Sequence, residues 1–457
     1  MIPLWTSAAI AAATNGAASA DFAVNGVAFD SREVGPGDLF IAMKGEATDG
    51  HKFLGNAFLQ GAGGAITSQS IANPHVLVGN TMDALIMLGA AARKRTQAKI
   101  IGVTGSVGKT GTKEALAAAL ARGTDAHVHR SVKSYNNHTG VPLSLARMPT
   151  ASAYGVLEMG MNHTGELAAL TQLVRPHVAL VTAIASAHRA FFNSEAEIAE
   201  AKAEIFQGLV SGGTAVIPRD SEHYDLLNAR AQAQAATVIS FGRHTEADVR
   251  VLDELPVGNG TLVTAKLRSA ELHFTVNQHG AHWVSNALAV LACVETLGAD
   301  LAAAGLALAE LDGLAGRGAR HKISIEGGRF TLIDESYNAN PASMAATLAV
   351  LGAEPAQRRI ALLGEMRELG ESSDDLHANL APHILRNNVD AVVLVGEAMA
   401  PLAMALEGKV ELSHVMNAAA ADALAHKLIT PGSALLVKGS NALGLAKIVA
   451  SLTNGQT

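Results

Sequence analysis

Apolar residues recur along the middle of the chain in short runs that alternate with helix-period segments. Strands are predicted at Lys99–Thr104, Tyr154–Met159, Val178–Ile184, Thr214–Pro218 and Thr237–Phe241. Helical runs separate these strands, and this alternation indicates a parallel sheet with helices on both faces. From about 247 to 278 the pattern shortens to alternating segments between Gly and Asn turns, which predicts antiparallel strands.

A second series of alternating elements follows the glycine-rich stretch Gly313–Gly318. Its strands are predicted at Phe330–Asp334, Ile360–Gly364, Ala391–Gly396 and Ala434–Lys438. Helical segments lie between them, so we expect a second, Rossmann-like doubly wound sheet. The 457 residues suffice for two to four domains, and we predict an α/β protein with three, at 1–97, 98–314 and 315–457.

The composition of the chain limits which binding partners and which cellular compartment are expected. Lys plus Arg total 34 against 41 for Asp plus Glu, and this net charge of −7 indicates neither nucleic acid nor an anionic membrane as the main partner. The single cysteine, Cys293, excludes an internal disulfide framework and fits a buried thiol in a reducing compartment. No Lys or Arg precedes Arg32, so the small apolar residues near the N-terminus predict a capped helix rather than a signal peptide. We therefore expect a cytoplasmic protein with no integral membrane association.

The most specific motif is a glycine-rich loop between the first predicted strand and an alanine-rich helix from about Lys109 to Arg122. It reads Gly102-Val-Thr-Gly-Ser-Val-Gly-Lys-Thr110, with Val103 where the strict phosphate-loop pattern has its first glycine. Lys109 can reach the β- and γ-phosphates of a nucleoside triphosphate, and the Thr110 hydroxyl can ligate Mg²⁺. The alternative is a glycine turn beside a surface lysine. The candidate phosphate contacts are Thr104, Gly105, Ser106, Val107, Gly108, Lys109 and Thr110.

Two residues that follow strands of the same sheet are candidate metal ligands. Glu158 ends a strand, where a carboxylate can hold Mg²⁺ near the γ-phosphate, although a helix cap or a surface glutamate fits the sequence equally well. His188 closes the next strand–loop segment. A lone histidine in a loop is more often an ordinary polar residue than a ligand.

The helix predicted at Glu195–Val210 carries a lysine on its apolar face, because Ile198, Lys202, Ile205 and Leu209 follow one stripe. Burial disfavours the ammonium form and favours the neutral amine. A neutral amine can react with CO₂ to give a carbamate, which is an anionic metal ligand. The commoner alternative is a lysine that extends its charge to the edge of the stripe.

Two motifs lie near the predicted joint between the second and third domains. The loop Asp334–Pro341 follows a strand and precedes a helix, a position that suits a ligand. Its alternative is a helix that begins at Pro341 and is capped by Asn340. Arg317 stands between two glycines, which suits a phosphate clamp in a closing cleft, against the default of a solvated linker arginine.

Taken together, these motifs resemble those of the Mur ligase family over essentially the whole chain and in the same order. The string Ser336-Tyr-Asn-Ala-Asn-Pro341 is most similar to the member that adds D-alanyl-D-alanine. The matching segments are Asp30–Arg32, Gly37–Phe40, Met43–Gly45, Thr104–Thr110, Asn136–Pro142, Glu158–Gly160, Ala187–His188, Ala201–Phe206, His282–Asn286, Gly316–Gly318, Ser336–Pro341, Leu363–Met366 and Val437–Ser440.

The resemblance implies a role for each domain: 1–97 binds a UDP-sugar, 98–314 binds ATP, and 315–457 is mobile and binds the incoming amine. It implies that Thr110, Glu158 and His188 hold Mg²⁺ together with a carbamylated Lys202. The implied catalytic residues are Lys109, Lys202, His188 and Glu158. The implied ATP contacts beyond the glycine loop are Asn286, Arg317, Glu335 and Tyr337. The implied substrate contacts are Ser31, Arg32, Lys44, Asn136, Asn137, Asn338 and Asn340.

Four positions depart from the family pattern. Trp283 and Ala183 stand where the family usually has Asn, and Glu335 replaces the usual Asp. The stretch Asn441–Gly444 replaces a more basic, serine-rich segment. These departures bear on the details of nucleotide and amine binding.

The implied reaction joins D-alanyl-D-alanine to UDP-N-acetylmuramoyl-tripeptide through an acyl phosphate and gives UDP-N-acetylmuramoyl-pentapeptide, ADP and phosphate for peptidoglycan synthesis. It implies ATP and Mg²⁺ as cofactors and a cytoplasmic monomer that closes about Leu314–Arg320. The alternatives are another amino-acid-adding Mur ligase or a folylpolyglutamate-type ligase, a nucleotide-dependent module without ligase chemistry, and a kinase. The third residue of the tripeptide, diaminopimelate or lysine, stays open.

Overall fold

The computed structural model describes residues 2–45, 48–185, 191–192, 194–234, 236–258, 260–278 and 280–454. These residues form sheets of five, nine and six strands, together with a small two-stranded ribbon. Across this part of the chain, no helix combines the length and the apolar character needed to cross a bilayer.

The N-terminal region builds the five-stranded sheet. Its strand order is β2-β7-β6-β5-β4, with β4 to β7 parallel and β2 antiparallel at the edge, while β1 pairs with β3. Thr6 caps the first helix by accepting a hydrogen bond from the Ala9 N–H, as its sequence predicts. The elements are β1 Trp5–Thr6, α1 Ser7–Thr14, β2 Ala17–Ala18, β3 Ala23–Val24, β4 Gly26–Ala28, β5 Asp38–Ile41, α2 Leu54–Leu59, β6 Gly64–Thr67, β7 His75–Leu77 and α3 Thr81–Arg95.

The central region builds the nine-stranded sheet in the order β16-β15-β14-β13-β12-β11-β8-β10-β9. Strands β8 to β14 pair in parallel with β9 at one edge, and β14 to β16 pair antiparallel at the other. The elements are β8 Lys99–Thr104, α4 Lys109–Arg122, β9 Val128–Arg130, α5 Gly140–Ala146, β10 Tyr154–Glu158, α6 Glu166–Val174, β11 Val178–Val181, α7 Glu195–Ala203, β12 Thr214–Pro218, α8 Tyr224–Gln232, β13 Thr237–Gly242, β14 Val249–Val257, β15 Gly260–Lys266, β16 Glu271–Val276, α9 Ala281–Thr296 and α10 Leu301–Glu310.

Both faces of the central sheet are buried at β8, β10 and β11, where successive side chains point to opposite sides and both sets are covered. Ile100 and Leu157 contribute to one hydrophobic cluster, and their neighbours Ile101 and Val156 contribute to another. Strand β8 lies between β10 and β11, so the chain leaves β8 where successive connections turn to opposite sides. Ligands of open α/β sheets bind at such a crevice, and the glycine loop begins there.

The C-terminal region builds the six-stranded sheet in the order β17-β18-β22-β19-β20-β21, in which β17 and β18 are antiparallel and the other pairs are parallel. This arrangement confirms the expected second doubly wound sheet. The elements are β17 Ala319–Ile325, β18 Gly328–Glu335, α11 Pro341–Ala353, β19 Arg358–Gly364, α12 Ser373–Ala378, α13 Ala381–Arg386, β20 Ala391–Val395, α14 Ala400–Leu406, β21 Glu411–Val415, α15 Ala418–Leu428, β22 Ser433–Lys438 and α16 Ala446–Asn454.

One hydrophobic cluster joins the N-terminal and central regions. It runs from Trp5 and Leu88 of the first region to Val141 and Leu157 of the second. The Trp5 indole donates to the Ala146 carbonyl at 2.8 Å, and the Arg95 guanidinium stacks 3.5 Å from the centre of the Trp5 ring. The boundary at 97 stays a prediction, and it coincides with no break in packing.

We predict that these two regions unfold in one transition, because they share this core. Trp5→Ala removes the buried ring, its hydrogen bond and its stacked arginine, so it should lower the free energy of unfolding by about 3–5 kcal/mol. Urea denaturation followed by circular dichroism measures this loss. Ile2→Ala, at a side chain that is 93% exposed, is the matched control and should change stability little. Unfolding of the N-terminal region at a lower urea concentration than the central region, or a loss no larger than that of the control, would contradict a shared core.

Candidate functional site

The glycine loop is held by the segment that follows β11, and the Ser106 hydroxyl of the loop accepts from the Ala185 N–H of that segment at 3.1 Å. Gly105 and Gly108 have positive φ angles of 148° and 85°, and a β-carbon on Gly105 would collide with the Thr182 hydroxyl. That hydroxyl donates to the Val107 carbonyl at 2.6 Å. The Ser106 N–H donates to the Ala183 carbonyl at 2.7 Å. The loop is therefore fixed on one side and free to present its amides on the other.

Lys109 begins α4 and folds back over the loop. Its ammonium donates to the Gly105 carbonyl at 2.7 Å. Burial lowers the pKa of Lys109, while the nearby Glu158 carboxylate raises it. The side chain is half-buried, and its ammonium stands beside the amides where a phosphate would lie.

A chain of hydrogen bonds ends on the Glu158 carboxylate, which is 1% exposed. The Thr110 hydroxyl donates to one carboxylate oxygen at 2.9 Å, and the Asn136 amide donates to the other at 2.8 Å. Thr110 lies 3.2 Å from the Ser134 hydroxyl, which accepts from the Arg317 guanidinium at 3.1 Å. Four predicted site residues, Thr110, Asn136, Glu158 and Arg317, therefore meet at one place.

Lys202 is buried, with 1% of its surface exposed, in line with the predicted apolar stripe. Helix α7 ends at Ala203 and continues as a 3₁₀ turn, Glu204–Gly208, rather than as the single helix expected to Val210. Burial lowers the pKa of Lys202 well below its usual value, and the neighbouring Lys109 cation lowers it further. The Glu204 carboxylate opposes this shift in part. A neutral amine is the form that reacts with CO₂.

The donor set fits Mg²⁺ with substrate oxygens rather than a closed protein cage. Thr110 and Glu158 supply oxygen ligands, which this cation prefers, and it commonly keeps several water or phosphate ligands. Among the described residues, no group of three His, Cys, Asp or Glu side chains is placed to hold a metal. The Lys202 nitrogen fits this set only as a carbamate, which presents oxygen. His188 lies outside the described residues.

The loop after β18 places further predicted residues next to Arg317. The Arg317 guanidinium stacks 4.0 Å from the centre of the Tyr337 ring. Burial raises the pKa of Glu335, although the Lys438 ammonium lies 3.6 Å from its carboxylate. Lys438 is 2% exposed and donates to the Asn338 carbonyl at 2.9 Å, and burial lowers its pKa.

Three predicted substrate contacts are used in local structure. The Asn340 side chain accepts from the Ser343 N–H at 2.8 Å and caps α11 in a reciprocal capping box, which is the alternative that the sequence left open. The Asn338 side chain accepts from the next N–H in the chain. The Asn137 side chain accepts from the Gly140 N–H at the start of α5. Substrate binding by these side chains stays a prediction.

The helix α9 lines the other side of the glycine loop. Asn286 lies against Gly108, close enough that a β-carbon there would meet its side-chain oxygen. The Trp283 ring packs between Gly111 and Gly318, so it lies where the central region meets the joint. Burial lowers the pKa of the adjacent His282 to about 4.

The other predicted substrate contacts include three residues of the N-terminal region. The Arg32 guanidinium bonds both oxygens of Asp30, at 2.9 and 2.6 Å, and its side chain is 84% exposed. Ser31 is buried and accepts from the Asn56 amide. Lys44 is exposed and forms an isolated β-bridge with Asp49.

Two residues of the site were missed by the sequence analysis. Lys113 is fully buried beside Glu158, and it shares the apolar face of α4 with Leu116 and Leu120. Its position on an apolar helix face, like that of Lys202, is visible in the sequence and was not used. Ser134 carries no comparable signal, because only the fold brings it between Thr110 and Arg317.

Comparisons with known proteins cover almost the whole chain. Residues 23–131 match the model "Mur ligase family, catalytic domain", 103–294 match "Mur ligase middle domain", and 320–441 match "Mur ligase, glutamate ligase domain". The UDP-N-acetylmuramoyl-tripeptide–D-alanyl-D-alanine ligases of Rickettsia prowazekii and Escherichia coli are each 33% identical to it. The alignments cover 98% of this chain and 99% of the former, and 96% of this chain and 96% of the latter.

Solved structures that resemble this chain belong to the same family of ligases. A crystal structure of MurF from Acinetobacter baumannii superimposes with a TM-score of 0.86 at 30% identity, covering 99% of this chain and 100% of the other. MurF ligase from Thermotoga maritima, in complex with ADP, superimposes with a TM-score of 0.77 at 25% identity, covering 94% of this chain and 97% of the other.

Replacing the buried amine should stabilise the fold in a pH-dependent way. The unfolded chain takes up a proton at Lys202 below pH 10.5, whereas the folded protein resists it, so wild-type stability falls as the pH is lowered from there towards the depressed folded pKa. Lys202→Met escapes this penalty. Its stability advantage should grow by about 1.4 kcal/mol for each unit of pH lowered between the two pKa values.

Urea unfolding of Lys202→Met in CO₂-free buffer at pH 10 and pH 7 measures this advantage. Lys427→Met, at an exposed helix position, is the control and should show no such trend. An advantage that does not change with pH would contradict a neutral amine at this position.

Proposed function

This chain belongs to the Mur ligase family, and we propose that it joins D-alanyl-D-alanine to UDP-N-acetylmuramoyl-tripeptide and converts ATP to ADP and phosphate as it does so. The products are UDP-N-acetylmuramoyl-pentapeptide, ADP and phosphate, in peptidoglycan precursor synthesis. Relatives named for this reaction match nearly the full chain at 33% identity, and this observation carries the proposal. The site supports it, because a phosphate loop, a buried carboxylate and a buried amine converge.

The competing functions have weaker support. For the folylpolyglutamate-type alternative, a mutant structure of L. casei FPGS is 16% identical with a TM-score of 0.59, a likeness of fold alone. A Thermotoga maritima MurC structure is also 16% identical, with a TM-score of 0.62. A nucleotide-dependent switch or a kinase needs the loop, but neither needs a buried amine and a second sheet with its own polar loop.

The first chemical step activates a carboxylate, which is a poor acyl donor. An oxygen of the terminal carboxylate of the tripeptide attacks the γ-phosphorus of ATP, the bond to the bridging oxygen breaks, and ADP leaves. The Lys109 ammonium and the loop amides lie at the crevice where negative charge accumulates on the transferring phosphoryl group. The product of this step is an acyl phosphate.

The second step forms the amide. The neutral amine of D-alanyl-D-alanine attacks the acyl carbon, and inorganic phosphate leaves from the tetrahedral intermediate. Positioning of the substrates is the main contribution of the protein to this step, because two anionic substrates must meet in one cleft from which water is excluded. Arg317 is suited to this role, since it already reaches Ser134 beside the phosphate loop.

We assign the Mg²⁺ ligands by their chemistry. Thr110 and Glu158 would hold the cation, and a carbamate on Lys202 would supply a further oxygen. His188 is part of the same proposal, but it lies outside the described residues. When bound, Mg²⁺ neutralises phosphate charge and polarises the γ-phosphoryl group. A cytoplasmic monomer completes the proposal, in keeping with the lone buried thiol of Cys293.

Product analysis tests the reaction. Phosphate release should require ATP, Mg²⁺, UDP-N-acetylmuramoyl-tripeptide and D-alanyl-D-alanine together, and mass spectrometry should detect the pentapeptide product. Lys202→Met, which we expect to fold, should lower the rate at least about 100-fold because the carbamate oxygen is lost. Turnover with a folate or a shorter muramyl peptide instead would favour another ligase. A stable phosphorylated product would favour a kinase, and phosphate release without either substrate would favour a switch.

Closure of the C-terminal region should accompany catalysis. The joint is a tight turn in which Leu314 bridges to Arg317 and Gly318. Small-angle scattering should show a smaller radius of gyration when a nucleotide analogue and both substrates are bound than when the protein is alone. Arg317→Ala should weaken this change. An unchanged radius with all ligands bound would contradict closure.

A further inference from the structure

Lys113 holds a buried ammonium directly behind the phosphate site. It lies on α4 three residues after Thr110, and none of its side chain is exposed. The ammonium donates to the Ser131 carbonyl at 3.0 Å and to the Lys133 carbonyl at 2.6 Å. It also lies 2.9 Å from a Glu114 oxygen and 3.9 Å from a Glu158 oxygen. Two carbonyls and a carboxylate therefore satisfy its three donors.

The carbonyls that Lys113 binds belong to one segment, Ser131–Asn136, which we call the hub loop. Three side chains of the hub loop face the phosphate site. The Ser131 hydroxyl accepts from the Glu158 N–H at 3.1 Å, and Asn136 donates to the Glu158 carboxylate at 2.8 Å. Ser134 lies between Thr110 and Arg317. The hub loop thus touches the carboxylate, the threonine and the C-terminal region.

Two other residues of the hub loop face the N-terminal region. The Lys133 ammonium pairs with the Glu33 carboxylate, and the Tyr135 hydroxyl donates to the same carboxylate at 2.9 Å. Lys133 has a positive φ of 52°, an unfavourable conformation for a residue with a β-carbon. A strained backbone persists where its surroundings hold it, and the Lys113 ammonium is bound to the carbonyl of this residue.

We propose that Lys113 is a positioning residue for phosphoryl transfer. It fixes the hub loop by its backbone carbonyls, and the hub loop in turn aims Asn136 and Ser134 at Glu158, Thr110 and Arg317. Its cation also balances the charge of Glu158 from the side opposite the phosphate loop. The inference rests on the proposed function for its kinetic consequence, while the order that Lys113 imposes on the hub loop is independent of turnover.

The test compares Lys113→Met with Leu116→Ala, a matched control one turn along the same helix. Leu116 is fully buried and belongs to a hydrophobic cluster, and its apolar side chain cannot donate a hydrogen bond to the hub-loop carbonyls. Both variants should melt at a lower temperature. Lys113→Met alone should accelerate amide hydrogen exchange at 131–136 at least about tenfold, because the carbonyl clamp is lost. It alone should also lower kcat and raise the Mg²⁺ concentration for half-maximal activity, each at least about tenfold.

The proposal would be overturned if the exchange rates at 131–136, kcat and the Mg²⁺ requirement of Lys113→Met were all within twofold of those of Leu116→Ala. Lys113 would then act on stability alone. If Lys113→Met does not fold, Ser134→Ala is the second test of the proposal. Ser134 is half-buried, so removing its hydroxyl leaves little cavity and should not unfold the protein. It should melt within about 2 °C of the wild type and lower kcat about fivefold, whereas an unchanged kcat would overturn the proposal. A wild-type protein that releases no phosphate with all substrates would instead refute the proposed function.

Discussion

The site depends on a buried carboxylate at the end of a central strand, because this charge must be compensated by the residues around it. Glu158 is 1% exposed, and a buried negative charge is strongly unfavourable unless hydrogen bonds and nearby cations compensate it. Its partners come from different parts of the chain: Thr110 and Lys113 from α4, and Asn136 from the hub loop. The need to satisfy one carboxylate therefore holds strand, helix and loop together at the point where phosphate chemistry requires a fixed geometry.

The three regions of the molecule are joined by contacts of different kinds. The N-terminal and central regions share a continuous hydrophobic cluster, reinforced by Trp5 and Arg95. The C-terminal region has its own two clusters and approaches the others through the short joint, Arg317 and the Trp283 ring. A large apolar contact resists motion, whereas a polar contact across a turn can be remade.

The sequence predicted much of the fold because its signals are local. The bounds of α4, the alternation of strands and helices and the burial of Lys202 all follow from periodicity and glycine placement. The shared core could not be found in this way, because it depends on contacts between distant segments. The sequence predicted a domain boundary at residue 97, yet Arg93 donates to the Val174 carbonyl at 2.7 Å and Arg95 to the Leu4 carbonyl at 2.8 Å. The placement of Ser134 likewise depends on tertiary structure, whereas the capping role of Asn340 is local and was one of the two alternatives in the sequence.

The shared core fixes the N-terminal and central regions relative to each other. The residues proposed to contact the substrate in the N-terminal region and the carboxylate beside the phosphate loop lie in regions that share one hydrophobic cluster, so packing sets the distance between them. A peptide that is one residue too short would leave its carboxylate away from the γ-phosphate, and one that is too long would overshoot it. Selection of an acceptor by the number of its residues would then follow from packing between two sheets, without a side chain that recognises any residue along the way.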